Sequence, residues 1–340
     1  MRWLAVVVAV LLNLLTTASP VPAQQLVPVR IGYIPVAGGG QIFVIDGEGW
    51  ARDAGLQLKL TQFDSGPNAI QGFASGTIDV YAAGIGPLAV ARSRGIDVRV
   101  VTATAIEELA FVAGGKLAAQ FGQGSSAADA FSRHAAAAGR RAKLATQPAG
   151  SVPNTVLQYW LWEVAKVKRG DVEIVPMGID ATQQALLAGA VDGATIREPA
   201  ITIVRDRDPS MRLVAPGGEM FRNQPGGVVA FSGNFVEREP KASQALVDLI
   251  VRATQLLQTD PSRAAPHIQA ALGRGIVDVE TMRRALSSQA SRFVADPRLI
   301  IDATRQMQDY QVRIGVLDRP VPLDGLFDPS FYEKAANKRP

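Results

Sequence analysis

The chain contains no cysteine, little histidine and few aromatic residues. The absence of cysteine from its 340 residues excludes disulfides, thiolate metal sites and a lipid-modified cysteine at an export cleavage site. The only histidines are His134 and His267, and no G-x-S-x-G, Walker or H-E-x-x-H pattern is present. Because these patterns carry much hydrolase, nucleotide and metal chemistry, we expect a protein that is not an enzyme and needs no cofactor or metal.

Positive charge is also thinly spread. The formal net charge is +4, and the densest basic cluster, "GRRAK" at 139–143, has no aromatic residues among its basic ones. A nucleic-acid interface needs a concentrated basic surface. We therefore expect no nucleic-acid partner.

Only the amino terminus carries a long apolar run. Arg2 precedes residues 3–15, which are apolar except for Asn13, and this run is shorter than the roughly 20 residues that a membrane span needs. Val21 and Ala23 fit the small-residue rule of signal peptidase. The sequence predicts a signal peptide over 1–23, cleaved after Ala23, and a periplasmic protein; the alternative is an uncleaved membrane anchor.

One phrase occurs twice in altered form. "FASGTIDVYAAGIGP" (73–87) returns as "LLAGAVDGATIREP" (186–199). Gly76 and Asp79 of the first copy each lie 113 residues before Gly189 and Asp192 of the second. Equal offsets predict two similar structural units.

The surrounding pattern alternates strands and helices in both units. In the first unit the pattern predicts strands at 29–35, 56–63, 77–84 and 98–104 and helices at 41–55, 67–76 and 87–95. In the second unit it predicts strands at 142–148, 171–178 and 190–196 and helices at 151–167 and 180–189. Such alternation is typical of parallel sheets with right-handed crossovers. We expect an α/β protein of two lobes, each with a mostly parallel sheet flanked by helices, a ligand cleft between the lobes, and a helical C-terminal tail.

The lobes are predicted to be discontinuous. Lobe one comprises 28–110 plus 230–335, and lobe two comprises 113–225. The chain would then cross between the lobes twice, at 109–115 and 225–231, and these crossings would act as hinges.

The candidate ligand residues lie mainly where helices begin after strands. Free N–H groups and the helix dipole favour an anion at such positions. Arg197 and Glu198 follow the last predicted strand of the second unit. From there either side chain could reach a ligand, or the two could pair with each other. The candidates from this reasoning are Gly39, Gly40, Gly86, Gly150, Ser151, Asn154, Arg197 and Glu198.

The stretch "FDSGPNAIQGFASGTIDVYAAGIGPLAVA" (63–91), with "GSVPNT" (150–155) and "REPA" (197–200), resembles a family of transport proteins. Over about 28–335 the chain is similar to the periplasmic substrate-binding proteins of ABC importers in the nitrate, sulfonate and taurine group. The resemblance implies a two-lobed type II periplasmic-binding fold. It also implies capture of a small organic anion or zwitterion and delivery to an ABC permease and ATPase in the inner membrane. We further expect a monomer.

The resemblance adds further candidates and shows departures. It adds ligand positions at Ile34, Pro35, Ser65, Gly84, Ile85 and Val152. Sulfonate and taurine binders usually have polar side chains in these loops, and an aromatic residue where Arg197 stands. An organic acid with an apolar body would suit these differences.

Two other functions share this type of fold. One is the ligand-binding module of a sensor system, which the sequence does not distinguish from a transporter component. The other is a pyrimidine-synthesising enzyme of thiamine biosynthesis. The latter needs a cysteine-rich motif, which this chain lacks.

The predicted signal peptide gives the first test. Mature protein from a periplasmic extract should begin at Gln24, because cleavage follows Ala23. N-terminal sequencing of the purified protein checks this. Intact chains beginning at Met1 in the membrane fraction would contradict it.

Overall fold

A computed structural model describes residues 25–122, 124–272 and 277–338 of the chain. The predicted signal peptide lies outside these residues. The described chain forms two five-stranded sheets and one small two-stranded sheet, with helices around them.

The first sheet has the strand order β2-β1-β3-β11-β4. Its strands are β1 Val27–Tyr33, β2 Leu56–Gln62, β3 Val80–Gly84, β4 Val98–Ala103 and β11 Gly227–Ser232. β2, β1 and β3 pair in parallel, whereas β11 is antiparallel to both of its neighbours. Four strands therefore run in one direction, and β11 inserts between two of them.

The second sheet repeats this arrangement in the order β8-β7-β9-β6-β10. Its strands are β6 Leu109–Ala113, β7 Ala142–Thr146, β8 Val172–Pro176, β9 Gly193–Arg197 and β10 Arg212–Pro216. β8, β7 and β9 are parallel, and β6 is antiparallel to both β9 and β10. The expectation of two lobes with mostly parallel sheets is confirmed.

Helices follow most strands and cover the sheets. In chain order they are α1 Gly40–Gly47, α2 Trp50–Asp53, α3 Gly66–Ala74, α4 Gly86–Ser93, α5 Gly115–Ala118, α6 Ala127–Ala138, α7 Val152–Tyr159, α8 Ile179–Leu187, α9 Ala200–Arg207, α10 Gly217–Met220, α11 Gly233–Arg238, α12 Pro240–Thr259, α13 Pro261–Leu272, α14 Val279–Leu286, α15 Ile301–Arg313 and α16 Ser330–Ala336. The two-stranded sheet pairs β5 Ala105–Ile106 with β12 Arg292–Phe293. Within the described part of the chain, no helix is long and apolar enough to cross a membrane.

The structure departs from the prediction in two helices. The helix expected over 41–55 is divided into α1 and α2 because Gly49 adopts a left-handed φ of 76°, which interrupts helical geometry. The helix expected over 151–167 changes after α7 into a π-helical turn, Trp160–Val164.

The predicted helical tail packs on both lobes. α12 and α13 cover α1 beside the first sheet, and α15 contacts α4 of the first lobe and α7 of the second. The core beneath α12 groups Ile31 and Val229 of the first sheet with Ile250 and also contains aromatic residues such as Phe231. The tail therefore completes one core and connects the two lobes.

The repeated phrase has a structural role in each lobe. Gly76 and Gly189 adopt left-handed φ values of 72° and 66° after α3 and α8, so each ends a helix where a Cβ would be strained. Asp79 then accepts hydrogen bonds from the Arg30 guanidinium, at 2.8 Å to Nε. Asp192 likewise accepts from Arg140, at 2.6 Å to Nη1. Asp79 thus joins the start of β3 to β1, and Asp192, which also accepts from the Lys143 N–H, joins the start of β9 to β7.

The chain crosses between the sheets twice, but not at the predicted positions. Residues 109–113 form β6 of the second sheet, and 227–232 form β11 of the first. Both segments are buried and pair with strands on either side, so they are central strands and not connections. The crossings lie between Ala103 and Leu109 and between Pro216 and Gly227; residues 109 and 110 are thus in the second sheet. Whether the lobes move as units about these segments stays a prediction.

His134 and Asp192 give a pH-dependence test. Burial lowers the pKa of His134 below its usual 6.5, with Arg140 and Lys116 adding to the effect and Asp192 opposing it. Burial alone would raise the pKa of Asp192, but hydrogen bonds from Arg140 and the Lys143 N–H lower it. Lowered pKa values mean that the unfolded chain binds protons first as the pH falls.

We expect the free energy of unfolding to be highest above about pH 6.5. It should decrease as the pH falls from there through the lower pKa of folded His134, and decrease again at acid pH as Asp192 is protonated. The variant His134→Gln should lack the first decrease. Urea denaturation between pH 5 and 8 measures this, with pH 8 as the internal control. An equally steep decrease in the variant would contradict the assignment.

Candidate functional site

A cavity of about 320 Å³ lies where the two lobes face each other. Pro35 after β1 and Gln62 at the end of β2 contribute from the first lobe, and residues of α8 and the start of α9 contribute from the second. Arg197, at the end of β9, is among the lining residues. The cavity therefore lies at the facing C-terminal edges of the parallel strands, where ligands bind in open α/β sheets, and its size suits a small molecule.

Beside this cavity is a much narrower slot. Ile34, Gly84, Ser151, Val152 and Arg197 are among its lining residues, and it leaves no room for a water-sized molecule. Its walls touch, because a Cβ at Gly84 would lie 2.9 Å from Val152 Cγ2. Arg197 lines both the slot and the larger cavity.

Backbone contacts hold the lobes together around these spaces. The Ala37 N–H donates to the Glu198 carbonyl at 2.8 Å, and the Ile179 N–H donates to the Asp64 carbonyl at 3.1 Å. At a third point, a Cβ at Gly86 would lie 2.8 Å from the Gly150 carbonyl oxygen. The structure is therefore a closed arrangement of the lobes.

Arg197 is the buried cation of the site. Its Nε donates to Glu108 Oε1 at 2.8 Å, and both side chains are almost fully buried. Among the residues that the structure describes, its Nη1 has no hydrogen-bond partner although it is buried. A buried N–H group without a partner is costly, so Nη1 is suited to an anionic group in the cleft.

Glu198 does not pair with Arg197. Its carboxylate accepts hydrogen bonds from the Thr202 N–H and hydroxyl, both at 3.0 Å, and so satisfies the start of α9. Burial raises the pKa of Glu198 above its usual value, with these hydrogen bonds acting in the opposite direction. Glu198 lines the larger cavity, but its charged group is already used within the protein.

Several predicted polar residues cap helices. Ser151 Oγ accepts from the Asn154 N–H at 3.3 Å at the start of α7, and Ser65 Oγ accepts from the Asn68 N–H at 3.4 Å at the start of α3. The Asn154 side chain donates to the Gln147 carbonyl at 3.2 Å. Ser65 and Asn154 line neither space, and their roles as ligand residues stay predictions.

The predicted glycines and Ile85 lie at different depths around the cleft. Gly86 and Gly150 form one of the lobe contacts, and Ile85 is buried beside them. A Cβ at Gly40 would lie 2.7 Å from Ile268 Cδ1, so this residue allows close packing of α1 on α13. A Cβ at Gly39 would meet nothing within 4 Å among the described residues. The structure thus places Ile34, Pro35, Gly84, Ser151, Val152, Arg197 and Glu198 on the two spaces, but not the other predicted residues.

Sequence reasoning missed Glu108, Gln62 and the polar face of α8. Glu108 is 2% exposed, and its position directly before the apolar strand β6 was the available signal. Gln183 and Gln184 line the larger cavity but have no pattern that separates them from surface glutamines. Neither histidine lines either space, and within the described ranges no three His, Asp or Glu side chains are grouped to hold a metal.

Comparison with solved structures identifies the fold. The periplasmic nitrate-binding protein NrtA of Synechocystis aligns with a TM-score of 0.77 at 13% identity, covering 92% of this chain and 89% of its own. The alkanesulfonate-binding protein SsuA of Xanthomonas axonopodis, bound to MOPS, gives 0.70 at 18% identity, covering 88% and 98%. A zinc-bound ligand-binding component of an ABC-type import system from Staphylococcus aureus gives 0.73 at 14%, covering 91% and 99%. The expected periplasmic binding protein fold is confirmed.

The family follows from the sequence match. A model of the NMT1-like family matches residues 23–272, and the chain belongs to this family. No curated protein sequence matches the chain.

The contact at Gly86 predicts how closure can be blocked. An added Cβ in Gly86→Ala would meet the Gly150 carbonyl at 2.8 Å and the Val152 nitrogen at 3.3 Å, both backbone atoms of the opposite lobe. Backbone atoms cannot rotate away as a side chain can, so we expect the lobes to remain apart. Small-angle scattering should give a larger radius of gyration for this variant than for the unaltered protein.

Gly170→Ala is the matched control, because its Cβ would meet nothing within 4 Å in the described structure. It should scatter like the unaltered protein. Identical profiles for both variants would show that Gly86 does not limit closure.

Proposed function

We propose that this chain is an extracytoplasmic solute-binding protein of an ABC importer. It captures a small organic anion or zwitterion in the periplasm and delivers it to a permease and ATPase in the inner membrane. The observation that carries the proposal is Arg197, a buried arginine among the residues that line the cavity between the lobes. Nitrate- and sulfonate-binding proteins of the same fold support an anionic ligand.

The site is suited to binding and not to bond breaking. Its charged groups, Arg197 with Glu108 and Glu198 with Thr202, are held by fixed hydrogen bonds. Neither arrangement pairs a nucleophile with a general base, which covalent catalysis needs. A fixed cation shielded from water instead strengthens attraction to an anion.

The two crossings are proposed as the hinge. They run side by side, with the Thr104 N–H donating to the Gly227 carbonyl at 2.8 Å and the Glu107 N–H donating to Gln224 at 2.9 Å. Glu107 and Asn223, one on each crossing, have left-handed φ values of 51° and 53°. Hinges are short segments that absorb backbone rotation, and paired crossings would let the lobe of the first sheet and the lobe of the second sheet rotate about one axis.

A ligand panel tests the proposed function. The mature protein from Gln24 is heated with sulfonates, carboxylates, nitrate, amines and pyrimidines. A bound compound at 100 times its Kd stabilises the folded state by about 2.7 kcal/mol, which raises the melting temperature. We expect anions or zwitterions to stabilise the protein, whereas a response limited to pyrimidines or to none of the panel would contradict the proposal.

Arg197→Lys tests the residue that carries the proposal. Lysine keeps the charge beside Glu108 but loses the fork of N–H donors. We expect the affinity for the best anion of the panel to fall at least about tenfold, equal to about 1.4 kcal/mol, in calorimetric titration. Arg305→Lys, at an exposed arginine on α15 paired with Asp302, is the control and should bind normally. If both variants bind the anion with the same affinity, Arg197 does not contribute to ligand binding.

A further inference from the structure

We propose that Glu108 is a specificity-determining residue, which positions Arg197 and restricts the ligand's head group to one negative charge. This inference rests on the proposed function of the cleft. It concerns a residue outside the strands and helix starts that predicted the site. Glu108 lies in the first crossing, between β5 and β6.

Glu108 is held in place from several sides. A Cβ at Gly38 would collide with Glu108 Oε2, and a Cβ at Gly226 would lie 3.0 Å from Oε1. Gly38 belongs to the first lobe and Gly226 to the second crossing. The carboxylate therefore packs against both glycines, where the lobes and both crossings meet.

This fixed carboxylate determines how the guanidinium faces the cleft. A guanidinium is planar, and its five N–H groups point in set directions. The 2.8 Å bond from Arg197 Nε to Glu108 uses one donor and orients the plane. Nη1 remains buried without a hydrogen-bond partner among the described residues, and is therefore available to one acceptor group.

The same pair sets the charge that the site accepts. Arg197 and Glu108 form an ion pair with side chains 2% and 3% exposed, so their charges sum to zero. Among the described residues that line the cavity, the other charged groups, Glu198 and Asp180, are acidic; Arg205 acts on Glu198. A monoanion therefore bonds to Nη1. The second charge of a dianion would lie near acidic groups, with no further cation among the described lining residues, in surroundings that screen charge weakly.

Methanesulfonate and sulfate test this proposal because their head groups have similar shape and differ by one charge. For the unaltered protein, calorimetric titration should give a Kd for methanesulfonate at least about tenfold lower than for sulfate. Glu108→Gln keeps an oxygen acceptor for Arg197 Nε but removes the negative charge. We expect the preference for methanesulfonate over sulfate, measured as the ratio of their Kd values, to fall at least about tenfold in this variant. The main cause should be tighter binding of sulfate.

Glu48→Gln is the matched control, because Glu48 is also a largely buried acid paired with an arginine, Arg263, but lines neither space. It should leave the ratio of the two Kd values unchanged. If Glu108 has a purely structural role, Glu108→Gln should bind both anions more weakly by the same factor. An unchanged ratio of the two Kd values in this variant would overturn the proposal.

The outcomes separate this inference from the proposed function. Sulfate binding to the unaltered protein as tightly as methanesulfonate overturns the role of Glu108, even if Glu108→Gln does not fold, while the proposed function stands. If the unaltered protein binds neither methanesulfonate nor sulfate, the inference is overturned. The ligand panel then decides the proposed function. If no panel compound stabilises the protein either, both fail.

Discussion

The buried ion pair of Arg197 and Glu108 is the interaction on which the site depends. Removing two charges from water is costly, and a buried pair persists only where good geometry and further hydrogen bonds compensate. Here the 2.8 Å bond satisfies one donor of Arg197 and one oxygen of Glu108, but Nη1 and Oε2 have no hydrogen-bond partner within the described structure. The closed protein thus retains an incompletely satisfied guanidinium in the space between its lobes.

Closure itself relies on backbone atoms and small residues. The contacts across the cleft join Ala37 to Glu198 and Ile179 to Asp64 through their main chains, and Gly86 approaches Gly150 where no Cβ fits. Main-chain contacts form only when the lobes are correctly placed and add little chemical selectivity. Under the proposed function, selectivity for a ligand rests on the few side chains at the cavity, above all Arg197.

Much of the fold could be predicted from the sequence because it is encoded locally. The left-handed glycines Gly76 and Gly189 end helices, and Asp79 and Asp192 each begin the next strand at the same offset. Such signals need only a few neighbouring residues, so they predicted both lobes and their mostly parallel sheets. The predicted positions of the crossings were wrong because β6 and β11 are apolar segments that pair with strands distant in sequence. Such pairing cannot be recognised from a few neighbouring residues.

The site divides in the same way. The sequence by itself determined that Arg197 and Glu198 lie at the end of a strand of the second unit, and that Ser151 begins a helix. Only the tertiary structure decided that Arg197 pairs with Glu108, 89 residues away, that Glu198 caps α9 instead, and that the larger cavity lies beside α8. These outcomes depend on how two separately encoded lobes meet, and a buried charge takes whichever partner that packing brings within hydrogen-bond distance.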